Sequence, residues 1–279
     1  MESQLIGAGV VPFYRGRGGE PYFIFGRERA EEHWRASHKL SSFGGASHAG
    51  ETAAVTAARE LREESLCAFP TEGLEADLGG DAYALRIIIQ TTRRGATARH
   101  VTYVKEVPPG CAWRARFEGV RRQQLLVGDL LREWHDLHGW LGAQGNAHLK
   151  MPRLDQGMVE LQFAQHAMHM RVVAQGGVVE ETVYHTQWIS PATLRAYVRW
   201  CGVGQRLSAH RESLAGACAG ALDDDYRFDD AFLEIDAVQE WSYLELQNLF
   251  TNHLAHIVFR HEFMPVLRTL LHEFAPRHA

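Results

Sequence analysis

At 279 residues and 46% hydrophobic content, the chain has the composition of a soluble globular protein and the length of one large domain or two small ones. A net charge of −5 excludes general attraction to nucleic acid or anionic membrane, so a polyanionic partner must be held by a local patch. No apolar run approaches the roughly 18 residues of a membrane span. The N-terminus lacks the basic-then-apolar order of a signal peptide, and a soluble, cytoplasmic protein without a membrane partner is expected. Cys67, Cys111, Cys201 and Cys218 are scattered and form no Cys-x-x-Cys pair, which predicts reduced thiols rather than a structural zinc site. The His-x-x-His pairs His135/His138, His166/His169 and His253/His256 lie in no zinc-protease motif and read as surface or core histidines.

In chain order, residues 5–14 and 22–27 are β-rich runs flanking Arg-Gly-Arg-Gly-Gly, which predicts a hairpin with a flexible tip. Residues 28–40 are polar and irregular, with Trp34, His38 and Lys39 before the next motif. Residues 43–67 then read Phe-Gly-Gly-Ala-Ser-His-Ala-Gly-Glu-Thr-Ala-Ala-Val-Thr-Ala-Ala-Arg-Glu-Leu-Arg-Glu-Glu-Ser-Leu-Cys. Residues 52–65 contain no Gly or Pro and are rich in Ala, Leu, Arg and Glu, so they should be helical, with Thr52 as N-cap. At about 100° per residue, Ala54, Ala58 and Leu61 form an apolar stripe. Glu60, Glu63 and Glu64 gather on another face.

Such like charges cost roughly 0.2–0.5 kcal/mol per pair on an isolated helix, so a merely solvated face would gain by separating them. A divalent cation removes the conflict. Hard oxygen ligands select Mg²⁺ or Mn²⁺ over zinc and suit phosphoryl or pyrophosphoryl chemistry. Gly44 and Gly45 let the backbone bend and approach an ion or phosphate closely. The bland reading is a charged surface helix whose glutamates are neutralised by Arg59 and Arg62.

These residues resemble the signature of the Nudix hydrolases, which reads Gly, five residues, Glu, seven residues, then Arg-Glu-aliphatic-x-Glu-Glu-x-Gly-aliphatic. Gly45, Glu51, Arg59, Glu60, Leu61, Glu63 and Glu64 match in register, and Cys67 stands at the closing apolar position. Leu66 replaces the second glycine, which bears on how the helix ends. The resemblance implies an α/β fold, an α/β/α sandwich with a mixed sheet. It also implies metal-dependent hydrolysis of a pyrophosphate linkage in a nucleoside diphosphate linked to another moiety, with Mg²⁺ or Mn²⁺ as cofactor. Glu60, Glu63, Glu64 and the Gly45 carbonyl would bind metal, while Arg59 would orient a carboxylate such as Glu51.

Beyond the box, residues 71–81 read as a loop, and 82–92 with 99–107 as a second hairpin, so the likeness is strongest over residues 5–107. Residues 108–228 then form an insertion expected to be mainly helical with a strand hairpin. Residues 117–141 have a helical apolar pattern, 158–173 are rich in apolar residues, and Gly176-Gly177 signals a turn. Arg114, Arg116, Arg121 and Arg122 cluster at the insertion's entrance, and with Trp34 they are candidates for gripping a phosphate chain, a base or an RNA backbone. Two segments compete to close the sheet, 180–197 and 232–250, with the second preferred and residues 229–279 completing the fold with C-terminal helices. Each brings a candidate extra metal-binding acid, Glu181 or Glu234. Asp223, Asp224 and Asp225 read as a solvated loop. Alternatives to a nucleotide-type small-molecule substrate are capped RNA, as for Nudix decapping enzymes, and a catalytically silent binding module. The insertion could equally mediate homo-oligomerisation.

Overall fold

The computed structural model describes residues 4–30, 37–70, 72–80, 85–93, 96–109, 113–144, 158–164, 167–174, 177–185, 190–217 and 235–276. Trp34, Cys111, His166, Gly176, Cys218, Glu234 and the Asp223–Asp225 run lie outside them. Among the described residues, 4–121 with 235–276 form one compact unit and 122–217 form another.

The first unit is built around β1 (Gln4–Arg15), whose run from Gly7 to Phe13 is buried along its whole length. A strand with no alternation of exposure must be covered on both faces. Beside their shared turn, β1 pairs antiparallel with β2 (Pro21–Glu28), Phe13 opposite Phe23. Farther from the turn the hairpin splays. There β2 takes the short β3 (Leu40–Ser41), and β1 takes β4 (Phe43–Ala46), with Gly9 opposite Gly44.

After β4 come α1 (Ala53–Glu64), α2 (Leu74–Gly79), β5 (Arg86–Arg93) and β6 (Ala96–Glu106). β6 runs parallel to β1 and carries β5 antiparallel on its far side. Residues 71–81 are therefore not all loop: α2 forms behind Gly73, which holds φ +69°. α1 lies against β1 and β4.

From Pro108 on, α3 (Trp113–Ala143), β7 (Met158–Ala164), β8 (Ala167–Ala174), β9 (Gly177–His185) and α4 (Pro191–Ala217) follow. β7, β8 and β9 make a separate antiparallel sheet, so the insertion contains three strands rather than one hairpin between its two long helices. In this second unit Trp134 stacks on Trp200 at 5.6 Å, and Glu133 pairs with Arg199. The closing strand of the main sheet is β10 (Ile235–Ser242), antiparallel to β2, and the sheet order is β10-β2-β1-β6-β5.

α5 (Tyr243–Thr251), α6 (Ala255–Val258) and α7 (Met264–Glu273) end the chain. Tyr243, Leu246, Phe259, Phe263, Val266, Leu267 and Leu270 pack with Val11, Phe13, Phe23, Phe25, Ile87 and Val104 into one apolar core. No residue of α1 joins that core, and alternation along β1 places Ala8 and Val10 on the opposite face from Val11 and Phe13. A mixed sheet between α1 and the C-terminal helices is the α/β/α sandwich expected from the sequence. Among the described residues, no helix is long and apolar enough to cross a membrane.

Candidate active site

Two backbones meet too closely for side chains where β4 crosses β1. A Cβ on Gly44 would lie 2.6 Å from the Gly9 Cα, and one on Gly45 would lie 2.6 Å from Glu60 Oε2. Gly44 requires glycine because the atoms it would meet are backbone, while at Gly45 the space belongs to the Glu60 carboxylate, which a Cβ would displace. The chain then turns through Gly50, at φ +87°, and enters α1 behind Thr52, whose hydroxyl accepts from the Val55 N–H at 3.3 Å.

Arg59 is the centre of the site. Although only 8% exposed, it uses all five guanidinium N–H groups. Nε and Nη2 donate to the two oxygens of Glu51 at 2.9 and 3.2 Å. Nη1 donates to Glu60 at 2.8 Å and Glu63 at 3.2 Å, and Nη2 also reaches the Ala46 carbonyl at 2.9 Å. Glu64 accepts from the Gly44 N–H. One guanidinium and one glycine bend thus hold four carboxylates.

Glu51 is further anchored by the His48 N–H and the Thr56 hydroxyl, each at 2.9 Å. The Arg59 hydrogen bond, more than burial opposes, pushes its pKa down to about 2. Burial pulls against the Arg59 cation, but its bonds to Glu51 and the charges of Glu60 and Glu63 outweigh that pull and raise its pKa. Arg59 and Glu51 are therefore both ionised at neutral pH.

Four acids gather around one arginine here. Carboxylates and a backbone carbonyl are the hard donors that Mg²⁺ and Mn²⁺ take, so the residues fit those ions in kind. Among the described residues no three His, Cys, Asp or Glu side chains already converge as a ligand cluster. Glu60 and Glu63 are instead drawn onto Arg59.

Leu66, in place of the box glycine, holds φ +52°, and Cys67 follows at +56°. The helix thus ends through left-handed residues, as glycine would end it, but on a leucine that is 3% exposed. Cys67 and Cys201 are buried and in no disulfide, and burial pushes the Cys201 thiol up to about 12.

The remaining candidates are dispersed. Glu181 lies on β9 in the second unit, where His169 and then Arg171, each at 3.0 Å, hold its carboxyl below the usual range. Arg121 donates to the Ile235 carbonyl at 2.6 Å and is partly buried, which removes it from a phosphate grip. Arg114 lies over the Trp113 ring at 5.5 Å, while Arg116 and Arg122 are exposed. Helical geometry separates them: Arg114 and Arg121 share one face, and Arg116 points elsewhere.

A cavity of about 370 Å³ adjoins the bend at Gly44; Ser42, Ile89, His100, Thr102 and Phe263 also line it. Two glycines of β1 make room for its side chains. A Cβ on Gly7 would lie 2.9 Å from the His100 ring and 2.5 Å from the Gly45 carbonyl oxygen, and one on Gly9 would lie 3.1 Å from Ser42 Oγ. Burial, reinforced by Arg260, lowers the His100 pKa, so the ring is neutral at pH 7. In the sequence the one signal of this cavity is Gly7 and Gly9, spaced by two in a strand, which mark close approach.

No protein-family model and no curated protein matches the chain. Among solved structures it is similar to the Nudix hydrolase RenU from M. smegmatis, at 14% identity over 38% of this chain, with a TM-score of 0.29. A binary complex of the C. elegans Ap4A hydrolase is 14% identical over 38% of this chain and 68% of that one, with a TM-score of 0.24. A Nudix hydrolase from Nitrosomonas europaea is 10% identical over 73% of this chain and 91% of that one, with a TM-score of 0.22. The chain spans 63% of RenU. Identities and TM-scores this low carry no functional weight; the likeness to Nudix hydrolases is carried by the box residues and by the mixed sheet that holds them.

Proposed function

We propose that this chain hydrolyses a pyrophosphate linkage in a nucleoside diphosphate joined to another moiety, using Mg²⁺ or Mn²⁺. The observation that carries the reading is Arg59, which fixes Glu51, Glu60 and Glu63 beside the Gly44–Gly45 bend where Glu64 also ends. A helix selected only for solubility has no use for so much buried charge, which is costly to desolvate. Glu60, Glu63, Glu64 and the Gly45 carbonyl would hold the cation. When bound, it would neutralise phosphate charge and acidify a water for attack on phosphorus.

The chain's own groups then have separate roles. Arg59 positions Glu60 and Glu63, Glu51 fixes Arg59 in one orientation, and the Gly44 N–H fixes Glu64. The capped-RNA reading draws no support from the arginines, since Arg121 is committed to the backbone. A silent binding module would have no need of a complete set of box acids.

The test is to incubate the purified chain and Mn²⁺ with nucleoside triphosphates, a dinucleoside polyphosphate, ADP-ribose, a sugar-linked diphosphate and capped RNA, identifying products by mass. Cleavage between two phosphorus atoms of a small nucleotide is expected. If none of these compounds yields a phosphate-containing product, the proposal is wrong.

A further inference from the structure

The loop before α1 and the first turn of that helix share a one-way chain of hydroxyls. Thr56 is fully buried, and its Oγ1 lies 2.9 Å from Glu51 Oε2 and 3.2 Å from Ser47 Oγ. An ionised carboxylate only accepts, so the Thr56 proton goes to Glu51 and the Ser47 hydroxyl must donate to Thr56. Glu51 passes the constraint on: its two oxygens receive Nε and Nη2 of Arg59, whose Nη1 donates to Glu60 and Glu63. Arg59 holds Glu60 by Oε1 against Gly45, the residue whose carbonyl would be a further metal ligand.

Helix formation alone gives no reason for this threonine. Its neighbours on α1 are Ala53, Ala54, Ala57 and Ala58; alanine is the better helix former, and valine would fill the same space without a hydroxyl to satisfy. A threonine inside a helix commonly turns its hydroxyl back to the carbonyl four residues earlier, whereas Thr56 sends it to Glu51 and Ser47 in the preceding loop.

We infer that Thr56 is a positioning residue of the metal site: through Glu51 it fixes the Arg59 guanidinium, and so the carboxylates of Glu60 and Glu63, for a divalent cation. The inference rests on the metal-dependent reading of the box and names a residue that sets the cation affinity of that site. Outer partners that orient metal-binding carboxylates act in this way, and their loss costs about 10–100-fold in affinity or activity.

The experiment titrates Mn²⁺ into the full chain without substrate, followed by electron paramagnetic resonance, with circular dichroism and melting checking the fold of each variant. Thr56→Val should weaken Mn²⁺ binding about tenfold, at the lower end for such partners. Thr56→Ser should restore most of the affinity because it keeps the hydroxyl, and Ser47→Ala, one bond further out, should weaken it less than Thr56→Val. In a Glu51→Gln background Thr56→Val should cost little more, since Thr56 acts through that carboxylate. A lower melting temperature with native Mn²⁺ affinity would make Thr56 merely structural and overturns the inference, as does an equal loss of affinity with and without Glu51.

Hydrolysis of the nucleotide panel by the same preparations separates the two claims. Thr56→Val should lower kcat while leaving KM for the nucleotide nearly unchanged. Mn²⁺ binding that depends on Thr56, in a chain that cleaves nothing, sinks the hydrolase reading and leaves the inference standing. Cleavage by Thr56→Val with native kcat and native Mn²⁺ affinity sinks the inference alone, and a native chain that binds no Mn²⁺ sinks both.

Discussion

Leu66 gives the sharpest prediction about stability, because two substitutions there should rank in the reverse of their usual order. Its side chain is buried and its backbone is left-handed. Leu66→Ala and Leu66→Gly both delete the side chain, a common loss of about 2–5 kcal/mol. They differ in the backbone. The left-handed conformation costs a residue with a Cβ roughly 1–2 kcal/mol, which glycine escapes. Glycine returns about 0.4–1 kcal/mol of that through the greater freedom of its unfolded chain. The balance favours Leu66→Gly over Leu66→Ala by about 0.5–1 kcal/mol, or roughly 1–4 °C at the scaling of domains of 150–250 residues. Melting followed by far-ultraviolet circular dichroism reads the difference. Equal stability, or a more stable alanine variant, would refute the claim that the backbone at Leu66 is strained.

Three further outcomes follow from the clamp. Glu51 titrates near 2 in the folded chain, against about 4.3 for an unperturbed glutamate, so its contribution is complete above the unfolded value and is lost as pH falls through the folded one. Urea midpoints should therefore drop between about pH 4.5 and 2, and Glu51→Gln should be less stable at pH 7 with a shallower drop across that window; identical profiles would remove Glu51 from the clamp. Gly45→Ala places a methyl 2.6 Å from Glu60 Oε2, and displacing that carboxylate should lower turnover about a hundredfold with secondary structure retained. Unchanged turnover would mean that Glu60 does not act from that position. Chelation should abolish turnover, and Mn²⁺ at a hundredfold its Kd should stabilise the native chain by about 2.7 kcal/mol but stabilise Glu64→Gln much less; equal stabilisation would place the ion elsewhere.

Local chemistry made the box legible. An Ala-rich run with a threonine cap reads as a helix from composition alone, and the 3.6-residue period separates the apolar stripe of Ala54, Ala58 and Leu61 from the acids. The main sheet was also readable, because its strands are long and strongly apolar. β10 was distinguishable from β9 only by preference, since both are short β-rich segments leading into helices and pairing with distant strands decides between them. α2 was lost because six residues between glycines carry little periodicity. The arginine cluster illustrates the opposite error. Residues adjacent in sequence point in different directions on a helix, and Arg121 was drawn to a carbonyl of β10 that lies 114 positions further along. The cavity beside Gly44 is likewise assembled from distant segments, so His100 could not be singled out before the strands were paired.

Turnover of Glu63→Gln and Glu64→Gln in Mn²⁺, measured beside their melting temperatures, tests the central claim most directly. Each amide keeps the size of the carboxylate and removes its charge, so turnover should fall by about a hundredfold or more while melting stays nearly unchanged. Full turnover in both variants would contradict the assignment of these acids to a metal-dependent pyrophosphohydrolase site.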